Sequence, residues 1–404
     1  MLKLVGPAGT RRPPEPVMHL PDAKSLVAAL EAASRRGVIV ASGGGARAIT
    51  HLVAEPGASG VVLEGIVPSA RQAVDRLLGG PQEGYCSGRT ARRLAVAAWQ
   101  RACAVGATPD EAFGLAVTAS LRTRRPKQGE HRVHVAVQTV DATRTAHVVL
   151  RKDARSRDEE ETVAAALAIE QLLAAAAGVA GGLAALPTEM VRSDERIDRT
   201  TTTPSAAVRD LFAATRGAVR CDDERAAPTA GALIFPGSFD PLHEGHLRMA
   251  QIAAEIAERP AEFELSIANV EKPTLDYEEI ARRSGQFAGR RLWLTRAATF
   301  LEKVTMFPGC TFVMGADTYS RLATPRYYGG SEAAAEAAVR TIARDARGLI
   351  VFGRAADGAF VDASRLDVPA VLRDVTYFVS QAEFRLDISS TELRHRAALK
   401  EPAS

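Results

Sequence analysis

Hydrophobic residues in the first half of the chain alternate between two patterns. Apolar residues spaced three or four apart predict helices, whereas continuous or alternating apolar runs predict strands. Leu26, Val27 and Leu30 mark the first predicted helix, and the apolar run 38–41 marks the first predicted strand. The helices predicted in this way cover residues 24–35, 46–53, 69–78, 88–104 (with Ser87 as its cap) and 159–177. The predicted strands cover residues 37–41, 60–67, 113–118, 131–140 and 146–151.

The same two patterns return in the second half, where strands and helices alternate more regularly. The predicted strands cover residues 232–235, 262–268, 290–294, 311–317, 349–352 and 376–379. The predicted helices cover residues 245–256, 277–287, 298–306, 317–322 and 331–344, and a last helix begins at Ser389. Strands that alternate with helices of these lengths predict a right-handed, doubly wound parallel sheet, with a ligand at its topological switch point.

The stretch between these two blocks has a different character. Residues 179–229 contain Pro187, a charge-rich segment and a run of four threonines, without a sustained apolar period, although 208–219 has the pattern of one helix. Polar segments of this kind are typical of linkers. We therefore predict an irregular tail over 1–23, a first domain over 24–178, a linker over 179–229 and a second domain over 230–404. Each domain is expected to fold around its own core.

Composition narrows the class of protein. The 404 residues are 46% hydrophobic and 25% charged, with a formal net charge of +3, which argues against a nucleic-acid or membrane partner. Four cysteines are scattered without a CxxC pair, so neither a metal cluster nor a disulfide framework is expected. No apolar run approaches 18 residues, and the first residues lack the apolar segment of a secretory signal. We expect a cytoplasmic protein, and the sequence leaves a homo-oligomer open.

The stretch 231–250, GALIFPGSFDPLHEGHLRMA, carries the strongest chemical signal. A short apolar strand is broken at Pro236 and Gly237, and a helix follows from Gly245. This order places a helix N-terminus beside the carboxyl end of a strand, where open α/β sheets bind anions. His243 and His246 lie in the turn, and the missing side chain of Gly245 would let a phosphate approach the backbone.

The segment 237–246 resembles the HxGH motif of the adenylyltransferase and cytidylyltransferase superfamily. A second segment, Ile-Ser-Ser-Thr-Glu-Leu-Arg at 388–394, is similar to the ISSTxxR signature of the same superfamily, in the expected order and about 145 residues further on. The resemblance implies ATP-binding roles for five matching residues: Phe239, His243, His246, Ser390 and Arg394. The nucleotide-binding set predicted with them also includes Gly237, Ser238, Gly245, Ser389 and Thr391.

These residues fit what nucleotidyl transfer requires. The reaction needs a cradle for a triphosphate, an in-line anionic nucleophile and charge stabilisation as pyrophosphate leaves, but no strong base. His243 and His246 can donate hydrogen bonds to phosphate oxygens. The hydroxyls of 389–391 and the planar fork of Arg394 can do the same from a second helix. Mg²⁺ would arrive with ATP, held mainly by phosphates and water, so no protein metal site is expected.

Within the superfamily, the second domain is most similar to nicotinamide or nicotinate mononucleotide adenylyltransferases of NAD biosynthesis. Gly315 and Asp317 match the end of a strand in those enzymes, and Arg354 matches an arginine close to the acceptor nucleotide. Lys272 matches a basic residue after the second strand. Trp293 either stacks on a pyridine ring or belongs to the core. The resemblance implies ATP and a phosphorylated small-molecule acceptor as substrates.

The first domain resembles the C-terminal domain of the CinA family of nicotinamide mononucleotide amidohydrolases. The resemblance rests on order and spacing, including Pro-Gly-Ala-Ser at 56–59, Leu-Leu-Gly at 77–79 and the strand end at 115–118. It places Ser42 on the nucleophilic serine and Val74 on the lysine that activates it. An aliphatic side chain cannot take a proton from a hydroxyl, so we expect hydrolysis to be lost. Ser42 is then either an ordinary turn residue or part of a pocket for a phosphorylated nucleotide.

The predicted fold class is α/β with two domains: a CinA-like α/β sandwich and a Rossmann-like, doubly wound parallel sheet of the nucleotidyltransferase type. The predicted function is transfer of AMP from ATP to nicotinamide or nicotinate mononucleotide, with release of pyrophosphate, by a chain whose amidase-like domain is expected to be inactive. Two alternatives remain open. One is a CTP- or phosphopantetheine-type nucleotidyltransferase, and the other is a non-catalytic sensor that binds pyridine nucleotides.

Overall fold

The computed structural model describes residues 19–178, 190–270, 272–356, 359–361 and 363–384. The first part of the chain is built from alternating helices and strands, as its hydrophobic pattern predicts. The helices are α1 (Ala23–Ala32), α2 (Ala46–Val53), α3 (Arg71–Leu78), α4 (Gly88–Ala104) and α5 (Arg157–Ala176). The strands are β1 (Arg36–Ser42), β2 (Val62–Ile66), β3 (Ala112–Ser120), β4 (His131–Gln138), β5 (Thr143–Leu150) and β6 (Ile197–Thr202).

These strands form one mixed six-stranded sheet in the order β2-β1-β3-β4-β5-β6. β2, β1 and β3 are parallel, and β4, β5 and β6 continue the sheet as antiparallel strands. Helix α4 packs on one face, while α5 covers the other with α1 and α2 beside it. Ser87 caps α4 as predicted, since its Oγ accepts from the Thr90 N–H at 3.2 Å. The result is the predicted α/β layering.

The second part of the chain continues the numbering. Its helices are α6 (Ala206–Phe212), α7 (Glu244–Ala257), α8 (Tyr277–Ser284), α9 (Phe300–Met306), α10 (Ala316–Arg321), α11 (Glu332–Asp345) and α12 (Ala370–Arg373). Its strands are β7 (Ala218–Arg220), β8 (Leu233–Pro236), β9 (Ala261–Ser266), β10 (Leu292–Thr295), β11 (Thr311–Gly315), β12 (Gly348–Phe352), β13 (Arg354–Ala356), β14 (Ala359–Val361) and β15 (Thr376–Val379).

Seven of these strands form the second sheet, in the order β15-β12-β11-β8-β9-β10-β7. All neighbours pair in parallel except β10 and β7. The chain runs outward from β8 through β9 to β10, then returns to the other side of β8 with β11. The direction of winding therefore reverses between β8 and β11, and the carboxyl ends of these two strands flank the crevice where such sheets bind ligands. The predicted doubly wound parallel sheet is confirmed.

The segment predicted as a linker contributes to both sheets. β6 pairs with β5 at the edge of the first sheet, and β7 pairs with β10 at the edge of the second. The helix predicted over 208–219 ends at Phe212, and residues 218–220 are a strand instead. Edge strands with exposed polar side chains do not carry an apolar run, so their sequence is similar to that of a linker.

The two halves share a hydrophobic core, which differs from the prediction of separate cores. Trp99 of α4, Phe212 of α6 and Tyr277 of α8 belong to one buried cluster that also contains Leu233 and Phe235 of β8. The ring centroids of Trp99 and Phe212 lie 4.7 Å apart, and those of Phe212 and Tyr277 lie 4.8 Å apart. Three aromatic rings from three elements thus join the face of the first sheet that α4 covers to the second sheet.

Polar contacts accompany this aromatic contact. Tyr277 donates from its hydroxyl to the main-chain oxygen of Val140 at 2.6 Å, and its N–H donates to Thr143 Oγ1 at 3.0 Å. Because Tyr277 is 2% exposed, both bonds are shielded from water.

Within the described ranges, no helix is long and apolar enough to cross a membrane.

Candidate functional site

The HxGH segment lies where the topology predicts a ligand. β8 ends at Pro236, the loop 237–242 follows, and α7 begins at Glu244 with His243 as the residue before its first turn. The main-chain N–H groups of the first turn of a helix have no partner within the helix, so this end of α7 favours anions. The loop is therefore at the carboxyl end of β8, beside the switch point.

The ring of Phe239 is buried beneath this loop. Phe239 is 1% exposed, and its ring packs edge-on against His246, Phe263 and Phe287 at centroid distances of 5.1, 5.5 and 5.1 Å. Its φ of +44° lies in the left-handed region, where a side chain of this size is strained. Phe239 therefore has no exposed ring with which to make the predicted nucleotide contact. Its side chain instead packs against His246 and supports that imidazole.

Helix α8 and the turn after it hold the loop in place. Arg283 donates to the Ser238 carbonyl at 3.0 Å. Gln286 donates to the Phe239 carbonyl at 3.0 Å, and its Oε1 accepts from the Leu242 N–H at 2.8 Å. Three bonds to main-chain atoms fix the backbone of a loop that has no regular structure of its own. Local sequence patterns do not reveal these two residues, because each lies more than 40 positions from its partner.

Asp240 is the electrostatic centre of the loop. It is 7% exposed and forms ion pairs with Arg282, Arg283 and, from the first half of the chain, Arg89. Burial would raise the pKa of the carboxyl, but the charges of Arg283 and Arg282 outweigh burial and hold the pKa below its usual value. Asp240 is therefore ionised and already engaged by arginines, which leaves it poorly suited to hold a metal ion.

The two imidazoles of the motif stack on each other. Their centroids lie 3.7 Å apart with the planes 22° from parallel. The His243 N–H donates to His246 Nδ1 at 3.3 Å, so a neutral His246 carries its proton on Nε2 and can donate from there. Burial lowers the pKa of both imidazoles, and with the neighbouring His243 it lowers that of His246 to about 3. In the free protein the pair is neutral at physiological pH.

Gly245 makes room for a side chain of the motif. A Cβ at this position would lie 3.0 Å from His243 Nδ1, closer than ordinary contacts allow. This glycine was predicted to let a phosphate approach the backbone; on the side where a Cβ would lie, the imidazole of His243 takes the space. His243 Nδ1 is buried, and no partner for it is found in the part of the chain that the structure describes. An unsatisfied buried nitrogen of this kind favours a polar ligand.

Gly315 and Asp317 lie across the switch point from the histidines. Gly315 ends β11 and immediately precedes α10, and Asp317 is exposed in the first turn of that helix. The topology therefore brings both to the crevice between β8 and β11, as predicted. Their contact with an acceptor stays a prediction.

Five predicted residues cannot be placed. Ser389, Ser390, Thr391 and Arg394 lie outside the described residues, and so does the side chain of Arg354. The prediction that 389–391 and Arg394 donate to phosphate oxygens together with the two histidines therefore stays a prediction.

Trp293 is a core residue and not a stacking platform. It is 1% exposed, packs against Phe307 at 5.6 Å, and donates from Nε1 to Glu262 Oε2 at 2.6 Å. All four residues of its strand, β10, are buried, so the ring cannot reach a ligand without unfolding this part of the sheet. Lys272, in contrast, is exposed and lines a cavity described below.

The residues carried over from the amidase resemblance do not form a catalytic pair. Ser42 donates from Oγ to the Pro68 carbonyl at 3.0 Å. Val74, at the position of the activating lysine, is 2% exposed in the core. A hydroxyl bonded to a carbonyl, without a base at that position, is a weak nucleophile.

Comparison with known proteins finds a family match in the second half of the chain. Residues 234–396 match the cytidylyltransferase-like family, so the C-terminal part of the chain carries a domain of the nucleotidyltransferase type, as its two motifs predicted. No curated protein matches the chain significantly.

Several solved structures are similar to the N-terminal part of the chain. A competence/damage-inducible protein from Agrobacterium tumefaciens is 24% identical, with a TM-score of 0.32, over 39% of this chain and 98% of its own. A CinA-superfamily protein from Escherichia coli is 21% identical, with a TM-score of 0.31, over 42% and 94%. One from Enterobacter cloacae is 18% identical, with a TM-score of 0.33, over 44% and 99%.

Proposed function

We propose that this protein transfers AMP from ATP to the phosphate of a mononucleotide, nicotinamide or nicotinate mononucleotide, with release of pyrophosphate. One observation carries the proposal. The HxGH loop lies at the carboxyl end of β8, with two neutral imidazoles at the N-terminus of α7 and a buried His243 Nδ1 that lacks a partner among the described residues. This is a set of hydrogen-bond donors and main-chain N–H groups arranged for a polyphosphate.

The proposed chemistry is a single in-line displacement. An oxygen of the acceptor phosphate attacks the α-phosphorus of ATP, the bond from that phosphorus to the bridging oxygen breaks, and pyrophosphate leaves with the electron pair. The acceptor phosphate is already ionised at neutral pH, so no residue has to remove a proton. His246 contributes by donating from Nε2 to a phosphate oxygen, and its stacking on His243 keeps the ring in the required orientation.

The triphosphate would bring Mg²⁺, and the residues of the loop agree with a cation held by phosphates and water. Asp240, in the loop that precedes the two histidines, forms ion pairs with three arginines. When bound, the ion neutralises charge on the phosphates. The residues of this chain would bind and orient the same phosphates and keep water away from them.

The choice of ATP and of a pyridine mononucleotide rests on the ISSTxxR segment and on the Gly315 to Asp317 segment. A CTP- or phosphopantetheine-type enzyme uses the same loop, and a sensor would bind without turnover. A screen of pyrophosphate release distinguishes the three. Full-length protein is incubated with ATP or CTP and Mg²⁺, together with nicotinamide mononucleotide, nicotinate mononucleotide, phosphopantetheine or a phosphorylated alcohol. We expect release only with ATP and a pyridine mononucleotide. Release only with CTP, or none at all, contradicts the proposal.

We further propose that the N-terminal half no longer hydrolyses an amide. Ser42 without a base and Val74 in the core support this. Ammonia release from nicotinamide mononucleotide by the full-length chain tests it, and the expected rate is that of the buffer.

A further inference from the structure

A cavity of about 500 Å³ lies between the two halves of the chain. One wall comes from the segment between α3 and α4 and from the first turns of α4. The other comes from the carboxyl end of β9, the segment that follows it, and the start of α8. The volume is within the range of small-molecule sites, and sites of this kind are common between domains. The residues that matter for its chemistry are Gln82, Arg89, Arg93, Ser238, Asp240 and Lys272.

The cavity adjoins the HxGH loop. Ser238 and Asp240 belong both to its lining and to the loop 237–242 that precedes His243. A molecule in the cavity therefore lies next to the segment that would hold the triphosphate. An acceptor has to occupy such a position, because its phosphate must reach the α-phosphorus in line.

The carboxylates that line the cavity are all paired, whereas, among the described residues, two of its cations are not. Its four carboxylates all form ion pairs: Glu83 with Arg89, Asp240 with three arginines, Asp276 with Arg92, and Glu279 with Arg282 and Arg283. Two cations of the lining, Arg93 and Lys272, have no carboxylate within 4.0 Å among the residues that the structure describes. Their charges remain available to an anionic ligand.

Arg93 is the better placed of the two. It is half-buried on α4, and its Nη1 donates to the amide oxygen of Gln82 at 2.7 Å, a neutral partner that orients the guanidinium without neutralising it. Burial lowers the pKa of Arg93, and the like charges of Arg89 and Arg283 outweigh the opposite effect of the more weakly acting Glu279 and Glu83. The remaining donors of the planar fork suit a phosphate.

Contacts between the halves fix the position of α4. Arg89 pairs with Asp240 at 3.0 Å, Arg92 pairs with Asp276 at 3.1 Å, and Gln100 donates to Thr274 Oγ1 at 3.0 Å. Both side chains of the Arg92 pair are at most 13% exposed, so the pair is shielded from solvent. The three contacts hold Arg93 against the cavity in a defined orientation.

We propose that this cavity is the acceptor subsite, that it takes a nucleoside monophosphate or a phosphate monoester of similar size, and that Arg93 of the N-terminal half binds the anionic group of that acceptor, with Lys272 beside it. The inference rests on the proposed function and adds a role for the first half of the chain. That half, without hydrolysis of its own, completes the site of the second.

The test compares Arg93→Met with Arg101→Met in the full-length chain. Arg101 is on the same helix but pairs with Glu64 away from the cavity, so it controls for the loss of one arginine. Nicotinamide mononucleotide is the probe, in calorimetric binding and in pyrophosphate release with ATP. We expect Arg93→Met to raise the Kd and the KM for the mononucleotide about tenfold or more while the KM for ATP changes less than about twofold. Arg101→Met should leave all three unchanged.

Lys272→Met provides a second variant, because an exposed side chain can be shortened without risk to the fold, and the same direction of change is expected. If pyrophosphate is released but neither variant alters the KM of the acceptor, the inference is wrong and the proposed function stands. A change in the KM for ATP alone also overturns it. If no acceptor of the panel supports pyrophosphate release and the mononucleotide does not bind, both the proposed function and this inference are overturned.

Discussion

The ring of Phe239 occupies the space that a side chain at Gly237 would need. A Cβ at residue 237 would lie 2.5 Å from Cζ of Phe239, which is well inside any tolerated contact. The same ring lies 5.1 Å from the imidazole of His246. A change at residue 237 is therefore expected to reach His246 through the ring of Phe239.

Gly237→Ala is predicted to destabilise the protein by about 1–3 kcal/mol, since the extra methyl group overpacks a filled site. It should also lower the rate of nucleotidyl transfer, because the displaced ring no longer supports His246. Urea denaturation and initial rates of pyrophosphate release measure the two effects.

A matched control is Gly285→Ala, at which a Cβ would meet nothing within 4 Å. This control should leave the free energy of unfolding and the rate of pyrophosphate release within experimental error of the wild-type values. In the background of Gly237→Ala, Phe239→Leu should restore part of the lost stability by vacating the contact. If Gly237→Ala is as stable and active as wild type, the packing described for this loop is wrong.

His246→Ala is predicted to lower turnover on the order of 10²-fold or more, because a hydrogen bond to a phosphate that gains charge in the transition state is lost. His51→Ala, on α2, removes an imidazole that lies in the other half of the chain and serves as the control. Steady-state rates at saturating ATP and acceptor give the comparison. An unchanged turnover would falsify the assignment of the HxGH loop to catalysis.

The shared core predicts a single unfolding transition. The chain has two tryptophans, Trp99 in the first half and Trp293 in the second, so Trp99→Phe and Trp293→Phe leave one reporter each. In each variant, the fluorescence of the remaining tryptophan and the far-ultraviolet circular dichroism should give the same urea midpoint. Tyr277→Ala should lower the free energy of unfolding by about 3 kcal/mol or more with either reporter, because a buried aromatic ring is removed.

The control for this experiment is Tyr377→Ala, whose ring is 47% exposed and should contribute less than about 0.5 kcal/mol. Two separate transitions in the wild-type background, or a Tyr277→Ala effect confined to Trp293, would show that the halves unfold independently.

Stability is predicted to fall on acidification. Burial lowers the pKa of His134 and His246 to about 3, below the value of about 6.5 for an unfolded chain. Between these values the unfolded state binds more protons than the folded state, so stability increases with pH and is complete only above about pH 6.5. Each histidine contributes at most about 1.4 kcal/mol per pH unit in this window.

Urea midpoints at pH 5, 6 and 7 test this dependence. His134 stacks on His147 at 4.2 Å, so His134→Phe keeps an aromatic ring there while it removes the titrating group. The variant should show a shallower loss of stability from pH 7 to pH 5 than the wild type. A wild-type midpoint that does not change across this range contradicts the lowered pKa values.

The regular helices and strands could be predicted because the spacing of their apolar residues along the chain reflects which side chains are buried. All but the last residue of β3 are buried, and the apolar run 113–118 indicates this strand directly. The strand β6 has only half-buried and exposed residues in the sequence Ile-Asp-Arg-Thr-Thr-Thr, and its partners on β5 lie 49 to 59 positions earlier in the chain. No local pattern contains that information.

The candidate site likewise contains residues that a local motif reveals and residues whose role depends on distant partners. The histidines and the glycines of the HxGH loop are contiguous in sequence and were predicted as a group. Asp240 lies in the same loop, but its importance comes from Arg89, 151 positions earlier, and from two arginines of α8. Trp293 was left open because leucines flank a tryptophan in both core and binding sites, and only its 1% exposure decides for the core.

The contact among Trp99, Phe212 and Tyr277 limits how this chain can be divided. A copy truncated near residue 230 would keep Trp99 and Phe212 but lose the ring that covers them, and the complementary fragment would present Tyr277 and β8 to water. Such fragments would be prone to aggregate on expression. Assays of single halves would then report on damaged surfaces, so the proposed activity has to be judged in the intact polypeptide.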